Sequence, residues 1–194
     1  ENGIKTNFEI SLKNVNTMGK NDIIYKNSPQ SELMSAYYYN VSLPLKKNSE
    51  NSINTLIPKL TFMLSPHEMK NNSDTSRRID NSNIFSTNRL GLGNSFEEGE
   101  SVTLGIDFIK EKIKTEDEIN EIENYFDIKL ASVFRLNKEK NIPINSTLYK
   151  KSSNIFGQLN FQPNEMISIN YNMSLTNDFN RFEYNALEGK FTFH

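Results

Sequence analysis

The sequence has no cysteine, no tryptophan and only two histidines. Without cysteine there is no disulfide framework and no thiolate metal site. No run of about eighteen apolar residues occurs, which excludes a membrane-spanning helix. Positive charge is not in excess either, with a net charge of -2 and a pI near 5.8. The basic field that would draw nucleic acid is missing, and no nucleic-acid partner is expected. Only 36% of the 194 residues are hydrophobic and the mean hydropathy is -0.63. A membrane-spanning barrel escapes these exclusions, because its strands need an apolar residue only at every second position while lumen and loops stay polar.

What is present is alternation. From Met166 to Thr176, Ile167, Ile169, Tyr171, Met173 and Leu175 fall on one side of an extended strand, and Ser168, Asn170, Asn172 and Ser174 on the other. Successive side chains of a strand point to opposite faces, so the segment carries one apolar and one wet face. About ten residues, tilted near 45°, cover the apolar band of an outer-membrane barrel. The pattern recurs at Phe8–Leu12, Tyr37–Leu45, Leu56–Leu64, Val102–Phe108, Phe126–Leu136, Ile155–Phe161 and Phe182–Phe193. A change of phase before Leu187 predicts a bulge near Ala186. Roughly eight strands result, an all-β antiparallel meander.

Gln162-Pro163-Asn164-Glu165 reads as a tight turn. Residues 65–83, 91–99 and 137–152 read as loops and 177–181 as a shorter one, all expected to be polar. Short turns at one end and long loops at the other are the habit of outer-membrane barrels. The Lys/Glu-rich stretch 110–124 reads as a solvated hairpin end, with a short amphipathic helix as the alternative. The chain opens at Glu1 without an initiator Met and stops at His194 in mid-alternation, so 1–194 is expected to be a single partial domain cut from a longer protein.

The residues that carry chemistry elsewhere are thin here. His67-Glu68-Met69-Lys70-Asn71 begins like a zinc-binding helix but lacks the second histidine four residues on. His194 offers no relay. Glu97-Glu98 and Glu116-Asp117-Glu118 could exchange protons if desolvated, yet in polar loops they are expected to be solvated and ordinary. Gly91-Leu92-Gly93 has no helix pattern after it to complete a phosphate cradle. Arg77, Arg78 and Arg89 are candidates for meeting phosphate groups in a lumen or at a rim, although Arg77 and Arg78 read equally well as isolated loop arginines. Three glycosylation-type triplets, at Asn40, Asn145 and Asn172, are expected by chance in so asparagine-rich a chain. No enzyme, cofactor or metal is expected.

Asn83-Ile84-Phe85-Ser86-Thr87-Asn88-Arg89-Leu90, followed by Glu97-Glu98-Gly99 and then Leu104-Gly105, resembles the barrel segment of the lipopolysaccharide-assembly outer-membrane family LptD (OstA, Imp). Val133-Phe134-Arg135-Leu136, Ile142-Pro143, Asn145-Ser146-Thr147-Leu148, Ser153-Asn154-Ile155-Phe156-Gly157 and Gln162-Pro163-Asn164 are similar, in order and spacing, to the family's later hairpins. Leu56-Ile57-Pro58-Lys59 is similar to an earlier element. The motif residues are thus Asn88, Arg89, Glu97, Gly99, Gly105, Pro143 and Gly157. Where the family often has Gly-x-Asp-Arg, Leu92-Gly93-Asn94-Ser95 stands here, and the family's cysteines are absent from this stretch.

The resemblance implies an arc of a large transmembrane barrel in the outer membrane of a Gram-negative cell, its periplasmic jelly-roll domain lying outside this stretch. It implies a translocon that takes lipopolysaccharide from an LptA-like periplasmic bridge, is plugged by an LptE-like lipoprotein, and inserts its cargo into the outer leaflet without catalysis. Ile167, Ile169, Tyr171, Met173 and Leu175 would then face lipid. Tyr37, Tyr39, Phe161, Tyr184 and Phe193 would sit near the interfaces. Ser168, Asn170, Asn172, Ser174, Asp127 and Lys129 would line a wet lumen. Two alternatives share the alternation: another outer-membrane barrel, porin or autotransporter, and a soluble carbohydrate-binding β-sandwich.

Overall fold

The computed structural model describes residues 3–22, 26–116 and 119–193, without the side chains of 114–124. Among these residues nine strands form one antiparallel sheet. They are β1 (Lys5–Thr17), β2 (Gln30–Ser42), β3 (Leu45–Ser49), β4 (Ser52–Ser65), β5 (Gly99–Glu116), β6 (Ile119–Arg135), β7 (Ile155–Asn164), β8 (Ile167–Leu175) and β9 (Phe182–Phe191). Each pairs with its neighbour in sequence, except that β2 and β3 both pair with β4. A meander follows directly from alternation broken by turn residues. The sheet does not close on itself among the described residues.

The ninth strand departs from the expected eight, and proline explains it. The alternation from Tyr37 to Leu45 runs through Pro44, but the strand breaks there, and β3 continues along β4 beyond the break. Pro58 of β4 lies opposite the gap, where its carbonyl accepts the Leu43 amide at 3.1 Å. A strand residue's amide and carbonyl point the same way, so the hydrogen that Pro58 lacks is missing where the ladder is already interrupted.

Residues 110–116 and 119–124 belong to the paired strands β5 and β6, not to a helix. Asp117, Glu118 and the side chain of Glu116 lie outside the described residues, as does His194. The bulge falls at Glu183, earlier than Ala186, since Leu175 pairs with Phe182 while Ser174 pairs with Tyr184. This turns Tyr184 to the polar face, away from the interface position expected of it.

The connections sort by end. Those between β1 and β2, β4 and β5, β6 and β7, and β8 and β9 all lie at one end of the sheet. At the other end β5 ends at Glu116 paired with Ile119, the first residue of β6, and the strands reverse across Glu50-Asn51 and Glu165-Met166. In the last of these, Asn164 Oδ1 accepts the amides of both Met166 and Ile167 at 3.0 Å.

Candidate functional site

Register decides which side chains share a face, because directly paired residues point the same way. On one face Phe8, Tyr39, Phe62, Val102 and Phe134 make a continuous row across β1 to β6. Lower down, Leu56, Phe108, Ile128, Leu159, Tyr171 and Leu187 make another. Ile167, Ile169, Met173 and Leu175 lie on this same face, half-buried by their neighbours. Nothing among the described residues covers it: Phe8, Ile10 and Leu12 are 60%, 53% and 68% exposed. A sandwich would bury such a face against a second sheet, and among the described residues every strand belongs to one sheet.

The apolar stripe is oblique to the rows. Ile10, the centre of the stripe in β1, is level through Tyr37 with Leu64 of β4. Tyr171, its centre in β8, is level through Leu159, Ile128 and Phe108 with Leu56 of the same β4. Leu64 to Leu56 is eight residues of drift over the six strand steps from β1 to β8. At roughly 3.3 Å per residue and 4.8 Å per strand, a band of constant height therefore requires strands inclined at about 40°. That is the inclination of strands in a membrane barrel wall.

The opposite face is polar and connected. Lys59 pairs with Asp107, and Asn160 Nδ2 donates to both oxygens of Asp127 at 3.1 and 3.0 Å, with Lys129 Nζ 3.9 Å from the same carboxylate. Asn172 Nδ2 donates to Asn170 Oδ1 at 2.6 Å. Ser168, Asn170 and Asn172 are half-buried, whereas Ser174 is buried and accepts from Asn154 Nδ2 at 2.9 Å.

Toward the loop end this face is not wet. The loops 66–98 and 136–154 fold down onto it and build a core from Ile79, Ile84, Leu90, Ile142 and Leu148 against Val133 and Phe156 of the sheet. A second cluster joins Phe96 to Met34, Ala36, Tyr38 and Met63. The two loops clasp each other, the Asn72 amide donating to the Asn141 carbonyl at 2.9 Å and the Ile144 amide to the Ser73 carbonyl at 3.2 Å. Lys13 of β1 reaches over to the carbonyls of Leu92 and Ser95, at 3.0 and 2.8 Å.

At the centre lies a buried charge cluster. Glu97, expected to be a solvated loop acid, is 6% exposed and lies between Arg89 and Arg135. Arg89 donates through Nε to Glu97 Oε2 at 2.7 Å, and its remaining nitrogens reach the Thr103 and Ser101 hydroxyls at 2.9 Å. Arg135 donates to Glu97 and to the Glu98 carbonyl. Burial pushes the Glu97 carboxyl up, but the charges and hydrogen bonds of Arg89 and then Arg135 outweigh it and hold the group below its ordinary value. Nearby Glu139 moves the other way, raised first by burial and then by Glu98. Glu98 itself is not idle, since its Oε2 accepts the Met69 amide at 3.1 Å.

The motif residues mostly serve this assembly. Asn88 closes the turn before Leu92, accepting its amide at 2.9 Å and donating to its carbonyl at 3.1 Å. Gly99 adopts φ +82°, and a Cβ there would stand 3.1 Å from the Arg135 guanidinium, so the Glu97-Glu98-Gly99 turn delivers Glu97 between the arginines. Gly105 leaves room for the Phe85 ring, which a Cβ would overlap. Pro143 is fully buried at the start of a 3-10 turn, Ile144–Ser146, and its carbonyl accepts the Ser146 hydroxyl at 2.6 Å. Gly157 stands apart, on the apolar face against Met173. Gly105→Val is therefore expected to expel Phe85 and loosen the loops, and Phe85→Ala in the same chain to restore them partly; limited proteolysis within 66–98 reads both.

Of the other candidates, Arg77 caps the loop, donating to the carbonyls of Leu90 and Gly91 at 2.9 and 2.7 Å. Arg78 lies over the Tyr184 ring, 5.7 Å from its centroid. His67 is exposed, 3.4 Å from the Ser35 hydroxyl. Among the described residues no cluster of acids and histidines could hold a metal ion, and no helix is long and apolar enough to cross a membrane. Arg135 and the apolar loop residues are what sequence reasoning missed; Ile79, Ile84, Leu90, Leu92, Ile142 and Leu148, isolated in polar surroundings, were the available signal.

A family model described as LPS transport system D, LptD, matches residues 8–193. No curated protein matches the chain.

Proposed function

We infer the role of this arc from one premise: the chain belongs to the LptD family, and its work is lipopolysaccharide transport at the outer membrane. It forms part of the wall of a translocon that receives lipopolysaccharide from the periplasm and inserts it into the outer leaflet. The task is positional and makes or breaks no bond. Single carriage of an amphiphile asks for a wall with an apolar exterior, so that acyl chains stay beside lipid, and a hydrated interior, so that sugars and phosphates avoid hydrocarbon.

The observation that carries this reading is the oblique apolar stripe opposite the polar face of Asn170, Asn172, Asp127 and Lys129. By barrel habit the folded loops stand at the outer surface and the tight turns in the periplasm. An LptE-like lipoprotein inside the barrel and an LptA-like bridge, engaged through a periplasmic domain, complete the route. Depleting the full-length protein is expected to remove newly made lipopolysaccharide from reach of a membrane-impermeant label on intact cells, with small-solute permeability changing only later. Loss of solute uptake with unchanged surface lipopolysaccharide would instead identify a porin.

A further inference from the structure

A cavity of about 620 Å³ opens on the polar face at the loop end, between the two folded loops and the start of β9. Arg78, Tyr149, Lys150, Arg181, Phe156 and Tyr184 line it. Its acids are already engaged. Asp80 accepts the Ser82 amide and hydroxyl at 2.8 and 2.6 Å, and Glu183 accepts Asn154 Nδ2 at 2.7 Å. Its cations are not: among the described residues neither Arg78 nor Lys150 pairs with a carboxylate, and Arg181 meets only Glu183, at 3.3 Å on the exposed surface. Exposed pairs of that kind hold weakly.

We propose that this cavity is a binding site for an anionic saccharide, the phosphorylated sugar portion of the lipopolysaccharide that the wall conducts; the identity of the cargo rests on the function proposed above. Planar guanidinium and ammonium groups supply paired and point contacts to phosphate. Tyr149 and Tyr184 supply hydroxyls suited to sugar, while their rings hold Lys150 and Arg78 in place at 5.5 and 5.7 Å from the centroids; the volume lies within the range of small-ligand clefts, roughly 300–1,000 Å³. The cations stand on three separate elements, the two loops and the β8–β9 turn, and converge only because the loops fold onto the sheet. The site would therefore meet the headgroup at the outer rim, after it has passed the polar strands beneath.

The test uses the full-length protein in detergent and titration calorimetry. The probes are a soluble phosphorylated oligosaccharide, made by stripping the acyl chains from lipopolysaccharide, and the same oligosaccharide with its phosphates removed. The phosphorylated probe is expected to bind at least tenfold more tightly, and Arg78→Glu with Lys150→Glu to weaken it at least tenfold while Arg78→Lys with Lys150→Arg retains it. Equal affinity for the two probes, no binding of either, or indifference to the charge reversal would overturn the proposal. Inorganic phosphate at equal concentration should not compete; if it does, the saccharide part is wrong. Should the charge-reversed protein fail to fold, the comparison of the two probes on the unaltered protein still decides. None of these outcomes bears on the depletion experiment, so the cavity and the transport role can fail separately.

Discussion

Tyr171→Arg and Ile169→Arg in the full-length protein are expected to abolish assembly in the membrane, whereas Asn170→Arg is expected to leave it intact. The three positions are consecutive in β8, and only the pleat separates them. Tyr171 is the centre of the apolar stripe, level with Leu159, Ile128, Phe108 and Leu56. An arginine at the bilayer midplane of a barrel costs about 2–4 kcal/mol, and a guanidinium at Tyr171 would face hydrocarbon with no acid in its row. At Asn170 the same group would emerge on the polar face beside Asn172 and Asn160, whose pairings place them in one amide-rich patch. Altered mobility of unheated protein in detergent gels, together with protease resistance in membranes, measures assembly. Equal tolerance at all three positions would remove the lipid-facing assignment.

Glu97→Gln is expected to release both loops from the sheet while the strands stay assembled. The substitution keeps the shape and removes the one negative charge between Arg89 and Arg135, each almost fully buried. Breaking a buried pair by removing one partner costs about 3–5 kcal/mol, because the remaining charge is left without compensation. Here two arginines would be left. Protease cleavage within 66–98 and 136–154 should rise by orders of magnitude, with gel mobility of the strand framework retained. Protection equal to that of the unaltered protein would show that apolar packing alone holds the loops. Acid offers a milder version. The carboxyl of Glu97 is held below its ordinary value, so its contribution is whole above the unfolded carboxylate pKa of about 4.3 and drains away only as pH falls through the lower folded value. Loop protection should thus hold from neutrality to about pH 5, or rise slightly as Glu139, whose carboxyl is raised, takes up its proton, and fall below about pH 4.

The sheet was legible because alternation is a local signal. Each strand could be read from its own residues, and the two faces of β8 were assigned from Ile167–Leu175 alone. Pro44 and the bulge at Glu183 were harder, since a break or an extra residue shows itself only against a partner strand. The loops were misread as solvated for a related reason. Ile84, Leu90, Ile142 and Leu148 have no period, and the surface that buries them comes from Val133 and Phe156, distant in sequence. Glu97 in turn could not be recognised as desolvated while its covering was assumed to be water. The motif run Asn88-Arg89 to Glu97-x-Gly99 lies beside the charge cluster, but its contacts there depend on Arg135, which joins it only through the pairing of β5 with β6.

The loop 66–98 is anchored to β1 through Lys13, to β2 through the Tyr38 hydroxyl on the Thr87 carbonyl, and to β6 through Arg135, while its Ile79 packs with Phe156 of β7. A single span fastened at so many places across the sheet acts as a cross-brace. Antiparallel strands shear and splay readily on their own, but here a change in curvature would have to tear a salt-linked strut from several anchor points at once. Among the described residues this arc is consequently a stiff stave from β1 to β7, the strands that the one loop ties together.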